Sequence, residues 1–129
     1  MPVVDASALV ELLLDTGKGD QVAKALEEGE IAAPELIDVE VLSTLARLVR
    51  ADELPAADAT AAARLLPSAS VTRVTHAVLD QRAWQLRDRV RIADAFYVAC
   101  AERFHATLVT ADARLARAPL PGVSILLVR

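Results

Sequence analysis

Five short aliphatic runs punctuate the chain, and each gap between them holds at least one stretch with helical spacing. No other feature constrains the fold as tightly. The runs are Val3-Val4, residues 30–33, Val71 to Val74, Thr107 to Val109 and Ser124 to Val128. Strands this short and this apolar, separated by helices, predict an α/β fold: a parallel sheet covered on both faces. Ser7 is placed to cap a first helix carrying Leu9, Leu12 and Leu13, which Gly17 and Gly19 then break. Lys18 to Glu28 reads as an amphipathic helix closed by Gly29. Pro34 suits a first helical turn, and a helix running to Arg50 is expected to bury Leu36, Val39, Leu42 and Leu45. Pro55 opens an alanine-rich helix that ends before Pro67. Thr75 caps a helix running through Trp84 to about Arg87, Ile92 to Phe104 is helical, and Asp112 to Arg117 forms a short last helix.

Composition sharpens the fold class and removes several functions. The 129 residues fit one domain, 1–129. Hydrophobic residues make up 54% and aromatics only 3%, while alanine alone fills about a fifth of the chain. The core is therefore built from Leu, Val, Ile and Ala, and disorder is excluded. The longest apolar run, Ala95 to Ala101, is far shorter than the roughly 20 residues that span a bilayer. A strand-like segment directly after Met1, with no basic n-region and no apolar h-region, predicts a cytoplasmic protein without a signal peptide. The lone Cys100 agrees, since it can form no intrachain disulfide. Fourteen bases against eighteen acids give a net charge of −4, which argues against a general nucleic-acid coat. Lys18 and Lys24 are the only lysines. Any nucleic-acid contact would rest on local arginines, or on metal ions held by acids.

In parallel sheets ligands gather beyond the carboxyl ends of the strands. Asp5 ends the first strand in VVDAS, and Asp112 follows the fourth in LVTAD. Glu40 lies in a helix as DVEVL, and Asp94 near the start of another as RIADAF. All four stand in apolar company, whereas Asp52 and Glu53 sit in a polar run. An ionised carboxylate in such surroundings is costly unless it is paired or binds a metal. Each acid also has a local explanation: Asp5 and Asp112 as helix caps, Glu40 paired with Thr44 or Arg47, Asp94 at a helix N-terminus. One acidic site explains all four more economically. Hard oxygen ligands without His or Cys select Mg²⁺ or Mn²⁺. If the four converge, their mutual repulsion should raise the pKa of at least one, and Asp94→Asn should then stabilise the metal-free protein.

VVDAS, PELIDVEVL, IADAFYVACAE and LVTAD resemble, in order and spacing, the PIN-domain nucleases. The length and the short start are similar to the VapC-like ribonucleases, the toxin branch of bacterial toxin–antitoxin pairs. The resemblance covers essentially the whole chain, and DAFYVACAE followed by LVTAD is its most specific part. It implies a three-layer α/β/α sandwich with a central parallel sheet of four to five strands. Asp5, Glu40, Asp94 and Asp112 match the acids that hold Mg²⁺ or Mn²⁺, Thr110 matches a supporting position, and Ser7 a small polar residue beside the first acid. Ala93 departs from the pattern, where relatives often carry a larger residue. The activity implied is metal-dependent endoribonucleolysis leaving a 5′-phosphate and a 3′-hydroxyl. The partners implied are an RNA substrate, a cognate antitoxin and a second copy of the chain, the last through the region Glu53 to Leu66.

The chemistry is consistent with that reading. No nucleophile has an adjacent base, and His76 and His105 are remote in sequence from the acids; metal-assisted hydrolysis needs neither. RNA approaching an acidic site requires cations, for which Arg87, Arg89, Arg91 and Arg47 are the candidates, with Arg50 behind Arg47. The alternative for these arginines is a solvated basic surface. A phosphorelay receiver is excluded because no lysine follows Lys24, and an Asp-nucleophile phosphatase because Asp5-Ala6-Ser7 is not D-x-D. A non-catalytic RNA- or protein-binding module is the remaining alternative. Cys100 is read as a small core residue and Trp84 as core or interface.

Overall fold

The computed structural model describes residues 1–26 and 29–129. Five parallel strands, β1 (Val3–Val4), β2 (Ile31–Pro34), β3 (Val71–Val74), β4 (Leu108–Thr110) and β5 (Ile125–Leu127), form one sheet in the order β3-β2-β1-β4-β5. Val3 stands opposite Ala32 on one side and Leu108 on the other, so β1 is central. Val3, Val4, Ala32, Ala33, Leu108 and Val109 are all buried, as strands covered on both faces require. Seven α-helices complete the chain: α1 (Ala6–Leu13), α2 (Gly17–Ala25), α3 (Ile37–Arg50), α4 (Ala56–Leu65), α5 (Asp80–Gln85), α6 (Ile92–Arg103) and α7 (Ala113–Ala116). The architecture is a three-layer α/β/α sandwich. Chain direction across the sheet reverses at β1, with β2 on one side and β4 on the other, and right-handed crossovers then place the two groups of helices on opposite faces. The crevice at such a reversal is where ligands bind in open α/β sheets.

Several local expectations need correction. Asp5, not Ser7, is the N-cap of α1: its carboxylate accepts from the Ala8 N–H at 3.0 Å. Gly17 and Gly19 do not break α1 but open α2, which Thr16 caps. A Cβ on Gly19 would lie 2.4 Å from the Glu11 carbonyl oxygen, so the close approach of α1 and α2 requires glycine there. The helix expected to reach Glu28 ends at Ala25, and Glu27 and Glu28 lie outside the described residues. Pro34 ends β2, paired with Val74, rather than starting α3.

The face of α3 is also rotated from the expected one. Ile37, Val41 and Leu45 are buried, whereas Val39 is 67% exposed and Leu42 is 48% exposed. After β3, Thr75 precedes a 3₁₀ turn at His76–Val78 and forms no side-chain cap; α5 follows as a separate helix. His76 Nε2 instead accepts the Leu36 N–H at 3.0 Å, which satisfies a free donor at the start of α3. Trp84 is not core: it is 59% exposed. Cys100 is fully buried, as read from its apolar neighbours. Among the described residues no helix is long and apolar enough to cross a membrane.

Candidate active site

Asp5 leaves the end of β1 and points into a dense set of donors. Ser7 Oγ donates to Asp5 Oδ1 at 2.7 Å, and Thr110 Oγ1 donates to Oδ2. The same hydroxyls tie down the neighbouring strand end: the Ala111 N–H donates to Ser7 Oγ at 2.9 Å, and the Asp112 N–H to Thr110 Oγ1 at 3.0 Å. The β1–α1 and β4–α7 junctions are thereby sewn together through side chains that the sequence marks only as small and polar. Asp5 is 4% exposed, and burial pushes its carboxyl up to about 6 against the lowering effect of Ser7, Thr110 and Ala8; nearby Asp94 adds a smaller upward push. No salt bridge among the described residues includes Asp5.

The other three acids reach the same space from different elements. Glu40 projects from α3, and the Tyr97 hydroxyl donates to its Oε1 at 2.7 Å. Tyr97 sits one turn beyond Asp94 on α6 and is buried. Burial, then the Glu40 charge, raises its hydroxyl well above the usual tyrosine range, so it remains a proton donor. Asp94 is 9% exposed and lies 3.3 Å from Arg91 Nε and 4.0 Å from the Arg114 guanidinium. Asp112 caps α7, accepting from the Arg114 N–H at 2.9 Å and from its guanidinium at 3.1 Å. Burial works against ionisation of Asp112, but the Arg114 hydrogen bonds and charge, with the Leu115 N–H, hold it below the ordinary carboxylate range.

Asp5, Glu40, Asp94 and Asp112 therefore line one crevice of about 630 Å³, with Arg47, Arg50 and Arg91 on its walls. The donor set suits a hard divalent cation in kind. It is all oxygen, and Asp5 is a nearly buried carboxylate answered by hydroxyls and an N–H rather than by a base. Among the described residues no three His, Cys, Asp or Glu side chains are gathered to hold an ion as they stand. On the Asp94–Asp112 side the Arg91 and Arg114 guanidiniums lie against the carboxylates.

Sequence reasoning did not single out Tyr97 or Arg114 as parts of the site. Tyr97 follows Asp94 by three positions on one helix, so helical spacing was the available signal for it, whereas Arg114 lies only two positions after the N-cap Asp112 and no such spacing marks it. Of the candidate arginines, Arg47 lines the crevice, while Arg87, Arg89 and Arg91 line an adjoining cleft of about 510 Å³ together with Arg114. The two spaces share Arg91 and Asp94. Arg89 donates to the Pro119 carbonyl at 2.9 Å, and the Arg87 guanidinium stacks 4.5 Å from the centre of the Trp84 ring. Glu40 pairs with neither Thr44 nor Arg47.

Comparison with known proteins shows the family. The PIN domain family model matches residues 3–120. Ribonuclease VapC3 of Mycobacterium tuberculosis is 44% identical over 117 residues, which cover 90% of this chain and 85% of the relative. Ribonuclease VapC1 of the same organism is 41% identical over 129 residues, covering 98% and 97%. A solved toxin–antitoxin complex from Klebsiella pneumoniae contains a chain with a TM-score of 0.70 over 100% of this chain and 98% of that one; at 13% identity it speaks for the fold alone. Family model, relatives at this identity and an acid-lined crevice at the sheet reversal together place the chain in the PIN-domain family, among its VapC-like members.

Proposed function

We propose that this protein is a metal-dependent endoribonuclease, the toxin of a cytoplasmic toxin–antitoxin pair. The observation that carries the reading is that four carboxylates from four distant segments line one crevice. Asp5, Glu40, Asp94 and Asp112 would hold Mg²⁺ or Mn²⁺. When bound, such an ion lowers the pKa of a water and offsets charge on the phosphate. The chain's own residues prepare that place. Thr110, Ser7 and the Ala8 N–H fix both oxygens of Asp5, and Tyr97 holds Glu40 by the oxygen it donates to. Arg91 pairs with Asp94 and Arg114 with Asp112, and both guanidiniums can turn to the phosphates of an incoming strand. Carboxylates without cations would repel RNA; the arginines on both sides offset that repulsion.

An antitoxin is the partner that fits. Its segment would cross α3 and α6 and place a basic side chain among the acids, with Val39 and Leu42 offering apolar contact beside them. A second copy would meet the chain through Glu53 to Leu66, where exposed alanines and Leu65 face outward. The decisive experiment incubates purified protein with RNA and Mg²⁺ or Mn²⁺, with and without chelator. Chelator-sensitive cutting to 5′-phosphate and 3′-hydroxyl ends is the expected result. Cutting that survives excess chelator would reject the metal mechanism, and failure to cut any RNA would favour a non-catalytic binding module.

A further inference from the structure

We infer that Trp84, with the Arg87 guanidinium laid on its ring, is a base-stacking subsite for single-stranded RNA at the outer end of the arginine-lined cleft. The inference rests on the ribonuclease reading and adds where the strand goes. Tryptophan is normally among the more buried residues, and here the only one in the chain is 59% exposed. The cause is local. Helix α5 has six residues and buries Ala83, which turns the neighbouring Trp84 outward.

Arg87 fixes the geometry. Its Nη1 donates to the Trp84 carbonyl at 3.0 Å, and its guanidinium lies 4.5 Å from the ring centre. Arg87 also lines the cleft that shares Arg91 and Asp94 with the acidic crevice. From the acids outward the surface therefore runs from Arg91 to Arg87 to Trp84. In a chain of net charge −4, the four guanidiniums of this cleft outnumber its two carboxylates, Asp88 and Asp94, a local positive excess that suits a polyanion. A planar cation stacked on an exposed indole adds what a phosphate alone does not need: a flat surface for a nucleobase. Cationic track and aromatic platform in series are the two requirements of single-strand binding. In the acidic crevice itself Arg47 and Arg50 form no salt bridge among the described residues, which offers the strand further cations beside the acids.

Because Trp84 is the only tryptophan, its fluorescence reports on the subsite alone. The test titrates the intact protein, in chelator and at low salt, with end-labelled single-stranded RNA of about 12 nucleotides, a length within the range of known single-strand sites. Label anisotropy gives total binding and Trp84 emission gives contact at the subsite. The expected result is quenching of Trp84 in step with anisotropy, with a much smaller response to duplex of equal length. Trp84→Ala should weaken binding by roughly tenfold, Trp84→Phe should retain most of it, and Arg87→Gln should weaken it while lessening the quench. RNA that binds with Trp84 emission unchanged and with equal affinity for the Ala variant overturns the subsite and leaves the ribonuclease reading standing. Emission that shifts on dilution without RNA assigns Trp84 to an interface between copies and likewise overturns it. Protein that neither binds nor cuts RNA overturns both.

Discussion

Asp5 and Asp112 invite comparison because so much about them is shared. Each follows a central strand, each caps the next helix, and both line the same crevice. Yet burial lifts Asp5 to about 6, whereas Asp112 is held below the usual range. The difference lies in what answers the charge. Asp5 is nearly sealed and meets two hydroxyls and one N–H; Asp112 is partly open and meets a guanidinium. Neutral donors offset only part of the desolvation of a carboxylate, while a nearby cation reverses the balance. The Asp5 side of the crevice therefore waits for positive charge, and the Asp112 side already has some.

The largest effect expected from breaking this arrangement is on cutting itself. On the proposed metal mechanism, Asp5→Asn and Asp94→Asn should each lower the metal-dependent rate by about a thousandfold, since each would remove charge from the ion's seat. Single-turnover assays with saturating Mg²⁺ measure it, and retention of more than about a tenth of the rate would place that residue outside the chemistry.

The next effect is on stability without metal. Asp5 binds its proton up to about 6 in the folded protein, against 3.8 for the ordinary side chain. The folded state thus holds the extra proton between those values, so wild-type stability falls as pH rises from about 4 to about 6 and levels off above. At about 1.4 kcal/mol per pH unit the Asp5 contribution reaches about 3 kcal/mol. Asp5→Asn keeps an oxygen for the Ala8 N–H and should be the more stable protein in chelator at pH 7.5, by up to that amount, with the gap closing toward pH 4. Denaturant unfolding at the two pH values checks this. Repulsion among the four acids would instead place the gain at Asp94→Asn. The structure argues otherwise, because burial is the leading cause at Asp5, and Asp94 has Arg91 and Arg114 beside it.

Smaller effects sharpen the contrast further. Tyr97→Phe keeps the ring in the core but removes the donor to Glu40, and should cost about tenfold in rate, close to the worth of one hydrogen bond to a charged group. Its fold stability should fall by no more than that one hydrogen bond is worth, and the sign of the Asp5 pH dependence should be retained. Arg114→Gln should let Asp112 rise toward its ordinary value. The Arg114–Asp112 pair contributes stability above the unfolded carboxylate range and loses it on acidification, opposite in sign to Asp5. Both side chains are partly exposed, so under about 1 kcal/mol is expected, seen as a small loss of stability at neutral pH that disappears toward pH 3.

The strands and the four acids were legible because they obey strong local rules. Val71 to Val74 forms the strand its composition predicts, and acids at strand ends stand out against apolar neighbours. Helix α3 shows where such rules fail. Leu36, Val39 and Leu42 share one helical stripe and Ile37, Val41 and Leu45 another, and only contact with the rest of the fold decides between them. Pro34 reads equally as a helix start or a strand end, and the partner strand β3 settles it. Tyr97 was hidden for a related reason. A buried tyrosine in an alanine-rich helix looks like core until the residue opposite its hydroxyl is known to be Glu40.

The central position of β1 has a consequence for how the protein comes into being. This strand pairs with β2 on one side and with β4, more than a hundred residues later, on the other. Thr110 and Asp112 lie at or beyond the end of that last partner. During synthesis the segments carrying Asp5, Glu40 and Asp94 exist before β4 does. A chain still in synthesis can therefore display Asp5, Glu40 and even Asp94 while lacking the Thr110 hydroxyl, one of the two that steady Asp5, and the carboxylate that completes the set. The crevice is finished only once β4 and Asp112 have been made, so a prematurely stopped translation product ending before β4 is expected to be inert toward RNA.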